Sequence, residues 1–124
     1  MTPTETDIDL LKSRFEDLVV AEDQSWVEVL SYKLDTALWS KHTTRLRVLV
    51  PPGYPVTPPD NFFVEPDVRL ADGGAPANTS PVTHGGEPWL QFSFHLEGGT
   101  WRPEAGHNLT TFMEGVAQRL SEGD

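Results

Sequence analysis

The chain predicts an α+β fold, with a helix near each end and an antiparallel sheet between them. Three observations carry that prediction. Apolar residues recur near helical spacing at Leu10, Leu11, Phe15, Leu18 and Val19, and again at Leu109, Phe112, Met113, Val116 and Leu120. The middle of the chain alternates with period two, most clearly in Thr43–Val50. There Leu46, Val48 and Val50 share one face and Arg45, Arg47 and Leu49 the other. Connections between these segments are short, so neighbouring strands should run antiparallel, half covered by the N-terminal helix. At 124 residues, the chain is expected to form one domain over 1–124.

Taken in order, residues 1–7 are polar and expected to fray. Asp7 is a candidate cap for a helix over about Ile8–Val20, with Lys12, Arg14, Glu16 and Asp17 on its wet side. A four-stranded meander is expected next. Its strand candidates are Trp26–Tyr32, Thr43–Val50 and Asn61–Glu65, with Leu34–Trp39 either a strand or a connection. Pro51–Asp60 holds five prolines in nine residues, which fix φ and remove backbone donors. That predicts a rigid extended loop. Tyr54 is placed to pack inward, although proline-rich segments also serve as docking ligands. From Arg69 to Val82 the run of Gly, Ala, Pro, Asn and Ser predicts a long irregular excursion, and loops of that length are often functional. Asn108 is a candidate cap for the final helix, to about Leu120. No repeat or linker divides the chain.

Composition narrows the function classes. A formal charge of −10 argues against nucleic acid or an anionic membrane as the partner, and fits either a basic partner or plain solubility. The chain has no cysteine, which rules out thiolate nucleophiles, thiolate metal sites and disulfides. The four histidines lack ligand spacing, so neither a metal nor another cofactor is expected. No stretch approaches the roughly 20 apolar residues that span a bilayer, and the N-terminus is acidic rather than signal-like, so a cytoplasmic location is expected.

The candidate chemistry lies in Trp89-Leu90-Gln91-Phe92-Ser93-Phe94-His95-Leu96, an apolar run with two polar members, followed by Trp101-Arg102-Pro103. A serine hydroxyl needs an adjacent base to act as a nucleophile. In a strand, residues two apart share a face with Cα atoms roughly 6.5–7 Å apart, so His95 is placed to take the Ser93 proton. His84 is a second candidate base, carried by a loop. His107 suits a structural role beside the last helix, and His42 has no assigned role. Trp89, Phe92, Phe94 and Trp101 fit core and loop packing, although Trp89 also suits the wall of a groove beside Ser93. An independent serine hydrolase is disfavoured, because no G-x-S-x-G elbow is present.

These motifs resemble a known family. Tyr54-Pro55-Val56-Thr57-Pro58-Pro59 is similar to the Y-P-x-x-P-P signature of ubiquitin-conjugating (E2) proteins, and Trp101-Arg102-Pro103 to their W-S-P. More narrowly, Arg69-Leu70-Ala71-Asp72-Gly73 and Trp89–Leu96 resemble R-L-x-x-G and W-x-x-F-S-x-H-L of prokaryotic E2 family E. The resemblance covers about Trp26–Leu120 and implies a UBC-like fold in which Arg69–Val82 belongs to the active-site loop. It also implies partnership with an E1-like adenylating enzyme and a ubiquitin-like protein, and association with JAB-type peptidases. In E2 proteins the catalytic cysteine lies eight residues before the Trp, and here that position is Ser93. The E2 His-Pro-Asn tripeptide falls around His84-Gly85-Gly86, without its asparagine, and one C-terminal helix stands where typical E2 proteins have more. Two functions follow from the resemblance. Ser93 accepts a ubiquitin-like C-terminus as an oxyester, helped by His95 or His84 and by loop amides around Gly85 and Gly86. Alternatively, the protein is a catalytically silent scaffold for the ubiquitin-like protein or the E1.

Overall fold

Period-two alternation sorts the middle of the chain onto two sides of a sheet. Val27, Val29, Leu46, Val48, Phe62, Val64, Leu90 and Phe92 are buried on one side in a single core with the helices. Their neighbours Glu28, Arg45, Arg47, Phe63 and Trp89 fall on the other side. A computed structural model describes residues 3–94 and 101–124. Helix α1 spans Pro3–Arg14 and α2 spans Leu109–Glu122, preceded by a short 3-10 turn at Pro103–Ala105. The strands are β1 (Leu18–Val20), β2 (Trp26–Lys33), β3 (Thr43–Leu49), β4 (Phe62–Val64), β5 (Thr79–His84) and β6 (Glu87–Phe92). They form an antiparallel sheet in the order β1-β2-β3-β4-β6-β5.

The α+β class and a sheet joined to terminal helices are as expected, but several details differ. The sheet has six strands rather than four. Leu18–Val20 is a strand paired with β2, not the last turn of a helix. A short run with adjacent β-branched residues satisfies either period, and pairing to β2 decides it. Leu34–Trp39 is a connection, apart from one bridge between Trp39 and Leu70. The end of the expected Arg69–Val82 excursion is β5, joined to β6 by Gly85 and Gly86 at φ 60° and 79°. Two central residues at positive φ make the turn that two-residue hairpins require. Residues 3–7, expected to fray, are the first turns of α1, and Asp7 sits inside the helix rather than capping it.

Helix α2 matches its expected face. Leu109, Phe112, Met113, Val116 and Leu120 are buried. The Asn108 side chain accepts the Thr111 N–H, and the Thr111 hydroxyl accepts the Asn108 N–H. The core beneath it is aromatic. Phe62 stacks on Phe92 with ring centroids 4.7 Å apart, and Phe94 meets Phe112 edge-on at 5.6 Å.

The proline loop is fastened to both helices by Tyr54, which is buried as expected. Its hydroxyl donates to the Asp7 carboxylate of α1 and accepts the Leu109 N–H of α2 at 2.9 Å. Burial, then the hydrogen bond and charge of Asp7, hold the phenol above its ordinary pKa. Trp101 adds a second fastening, donating from Nε1 to the Pro55 carbonyl at 2.8 Å. Tyr54→Phe removes one hydroxyl and leaves two buried groups without their partner. We expect a loss of about 1–3 kcal/mol in urea unfolding, with an unchanged denaturant slope.

Candidate functional site

Ser93 directly follows β6 and is exposed. Its main chain is held from two sides. The Ser93 N–H donates to the Asn78 carbonyl at 2.8 Å. The next residue, Phe94, donates its N–H to Asn61 Oδ1 at 3.0 Å, and its carbonyl accepts the Asn61 N–H. Asn61 and Asn78 both take left-handed backbone, at φ 59° and 58°, a conformation that asparagine tolerates better than most residues. Ser93 therefore presents its side chain from a main chain fixed to β4 on one side and to the start of β5 on the other.

The expected partners of Ser93 fare differently. His95 lies outside the described residues. His84 closes β5 at the hairpin turn, opposite Glu87, whereas Ser93 follows the far end of β6. Gly85 and Gly86 form that same turn, so the expected loop amides are also at the hairpin tip. The N–H groups of Ser93 and Phe94 are already committed to Asn78 and Asn61. Among the described residues, none hydrogen-bonds the Ser93 hydroxyl.

The outward sheet face explains what His84 does. β6 pairs with β4 only through Leu90–Phe92, and its first half carries the hairpin tip onto the outward side chains of β3. Arg47, 5% exposed at the side chain, donates to buried Glu28 at 2.8 and 3.0 Å. Its guanidinium lies 3.9 Å from the centre of the Trp26 ring and 4.6 Å from that of Trp89. Trp89 Nε1 is buried without a partner among the described residues, so this indole contributes its π face rather than its N–H. Arg45 bridges Glu28 at 2.9 Å and Glu87 at 2.7 Å, and that hydrogen bond holds the Glu87 carboxyl below its ordinary pKa.

The remaining Arg47 contact is 2.7 Å from NH1 to His84 Nδ1, while the His84 ring packs on Phe63 with centroids 5.5 Å apart. Arginine has only donors, so Nδ1 must accept and the ring is neutral with its proton on Nε2. Desolvation first, and the Arg47 charge second, lower the His84 pKa from 6.5. The Nδ1 lone pair is thus engaged by Arg47, and Nε2–H is the ring's remaining polar group. His107 is committed in the same way, its Nδ1 accepting the Arg102 N–H at 2.9 Å beside the Trp101 ring.

The Asn61 clamp and the β5–β6 hairpin escaped the sequence reading. The Gly-Gly pair after His84 was a usable hairpin signal. The clamp had none, because it joins residues 33 apart.

Breaking the Glu28–Arg47 pair strands a buried charge, so Glu28→Ala should cost about 3–5 kcal/mol in chemical denaturation. A lowered folded-state His84 pKa means the unfolded chain binds that proton more readily. Its contribution to stability is present above about pH 6.5 and is lost as pH falls through the lowered value. Melting curves of His84→Gln should accordingly decline less steeply below pH 6.5 than those of the parent.

In comparisons with known proteins, the family model of prokaryotic E2 family E matches residues 4–123. No curated protein and no solved structure matches the chain. Among the described residues, no helix is long and apolar enough to cross a membrane.

Proposed function

The chain belongs to prokaryotic E2 family E, and from that membership we propose that it accepts the C-terminus of a ubiquitin-like protein from an E1-like adenylating enzyme, at Ser93. The observation that carries this reading is the position of Ser93. It is an exposed hydroxyl eight residues before Trp101, where the resemblance to E2 proteins in general puts the catalytic cysteine, on a main chain pinned by Asn61 and Asn78.

The step forms an ester. Ser93 Oγ attacks the activated acyl carbon, the bond from that carbon to the E1-side leaving group breaks, and the hydroxyl proton passes through a base to the leaving group. His95 is the base in this reading. An oxyester is less reactive toward amines than a thioester, so discharge onto a final acceptor requires base catalysis and stabilisation of the developing oxyanion. Partners of this role are the E1-like enzyme and the ubiquitin-like protein, with a JAB-type peptidase as a further associate.

A second reading is a silent module that binds the same partners without carrying an acyl group. It is favoured by one observation: Nδ1 of both His84 and His107 already accepts a hydrogen bond, so neither supplies a base to Ser93. Incubation with the cognate E1, ATP and ubiquitin-like protein separates the two. The acceptor reading predicts an adduct that survives reductant and disappears in Ser93→Ala, whereas Ser93→Cys yields a reductant-labile one. Stable association with no adduct under any condition establishes the silent module instead.

A further inference from the structure

Ser93 takes its place from a corner of main chain that strand pairing does not secure. Its N–H donates to the Asn78 carbonyl at 2.8 Å, one step beyond the terminal pair of β5 and β6, Thr79 and Phe92. Ala77 and Asn78 are both exposed, so no buried side chain anchors that end of the bond. Polar contacts hold it instead.

Those contacts come from α2. Arg119 is buried, 9% exposed. Its guanidinium donates to the Ala77 carbonyl at 3.0 Å, and to the main-chain carbonyl and Oδ1 of Asp124 at 2.9 and 3.2 Å. The same Asp124 carbonyl accepts the Ala77 N–H at 3.3 Å. Both main-chain polar groups of Ala77 are therefore tied to Arg119, one directly and one through Asp124. The guanidinium carbon also lies over the Phe92 ring, 5.1 Å from its centre. Phe92 stacks on Phe62 and meets Trp39 edge-on at 6.0 Å, and Trp39 Nε1 donates to the Leu120 carbonyl of α2 at 2.8 Å. Ala77 precedes Asn78, and Phe92 precedes Ser93. One cation thus grips the residue before each partner of the Asn78–Ser93 bond. A planar, ionised fork can serve several acceptors while lying against a ring, which the point charge of a lysine cannot.

We propose that Arg119 is a positioning residue for the reaction at Ser93. It holds the start of β5 against the end of β6, so that the Asn78 carbonyl keeps the Ser93 N–H and the hydroxyl is presented in one place to the activated acyl carbon. It acts through Ala77 and Phe92, not on the reacting atoms. The proposal rests on the acceptor reading of Ser93 and adds α2 to the elements that serve it.

The test compares the full chain with Arg119→Met and Arg119→Lys. Methionine keeps an apolar stem beside Phe92 and removes every donor, whereas lysine keeps the charge without the fork. Two quantities are read. One is the rate of adduct formation, with E1 and ATP, against the concentration of ubiquitin-like protein. The other is hydrogen exchange at the Ser93 and Phe94 amides of the protein alone. In Arg119→Met the saturating rate should fall about tenfold to a hundredfold, since a misplacement of about 1 Å can cost the latter, with half-saturation unchanged. The Ser93 amide should exchange about threefold to tenfold faster, the worth of one hydrogen bond. The Phe94 amide, held by Asn61, should keep the parent rate. Arg119→Lys should fall between the parent and Arg119→Met in both readings, and it carries the test where Arg119→Met does not fold. A parent saturating rate in the variants overturns the proposal, as does a change in half-saturation alone, the mark of a partner contact. Equal acceleration of the Ser93 and Phe94 amides also overturns it, because that reports general loosening. No adduct in the parent protein removes the acceptor reading and Arg119's part in the reaction together. An adduct formed equally fast by parent and variants removes Arg119 alone.

Discussion

Arg47 and Glu28 form a charge pair sealed between two tryptophan rings on the outer face of the sheet, and much of the molecule is arranged around it. Burying two charges costs several kcal/mol each unless every polar atom is matched. Here the matching is extensive. Glu28 receives Arg47 and Arg45, and Arg47 spends its remaining contact on His84. The Trp26 and Trp89 rings exclude water and supply cation–π attraction. The pair thereby joins β2, β3 and the β5–β6 hairpin, elements far apart in sequence. The strand β6 of that hairpin ends at Phe92, directly before the candidate nucleophile.

The two faces of the sheet divide the work. On the inner face, apolar side chains and the Tyr54 junction bind both helices and the proline loop together, and little there is chemically active. The outer face carries charge and hydrogen-bond polarity. Ser93 stands at the seam, immediately after Phe92 enters the core and beside two asparagines in left-handed backbone. On that outer face the Nδ1 of His84 meets the Arg47 guanidinium.

Much of this was legible in the sequence because local chemistry specified it. The face of α2 followed from Leu109, Phe112, Met113, Val116 and Leu120, and its cap from Asn108. The faces of β3 followed from strict alternation, and the burial of Tyr54 from its place between two strands. The position of Ser93 rested on its count from Trp101 and on resemblance, not on periodicity. What was not legible depends on partners distant in the chain. Leu18–Val20 reads as helix or strand until β2 pairs with it. Alternation puts Arg45 and Arg47 on one face of β3 but does not announce that Trp26, Trp89 and Glu28 close over Arg47. The contact of His84 with Arg47 joins residues 37 apart, so no local pattern announces it. His95, the other expected base, lies outside the described residues.

The central claim is chemical: the hydroxyl of Ser93, and no other group of this chain, takes the acyl group. The direct measurement is tandem mass spectrometry of the proteolysed adduct, locating the residue that carries the C-terminal remnant of the ubiquitin-like protein. The account predicts the remnant on Ser93 as an ester that mild base removes and reductant does not. A remnant on Lys12, Lys33 or Lys41, or on one of the β5 hydroxyls Thr79, Ser80 or Thr83, would contradict it.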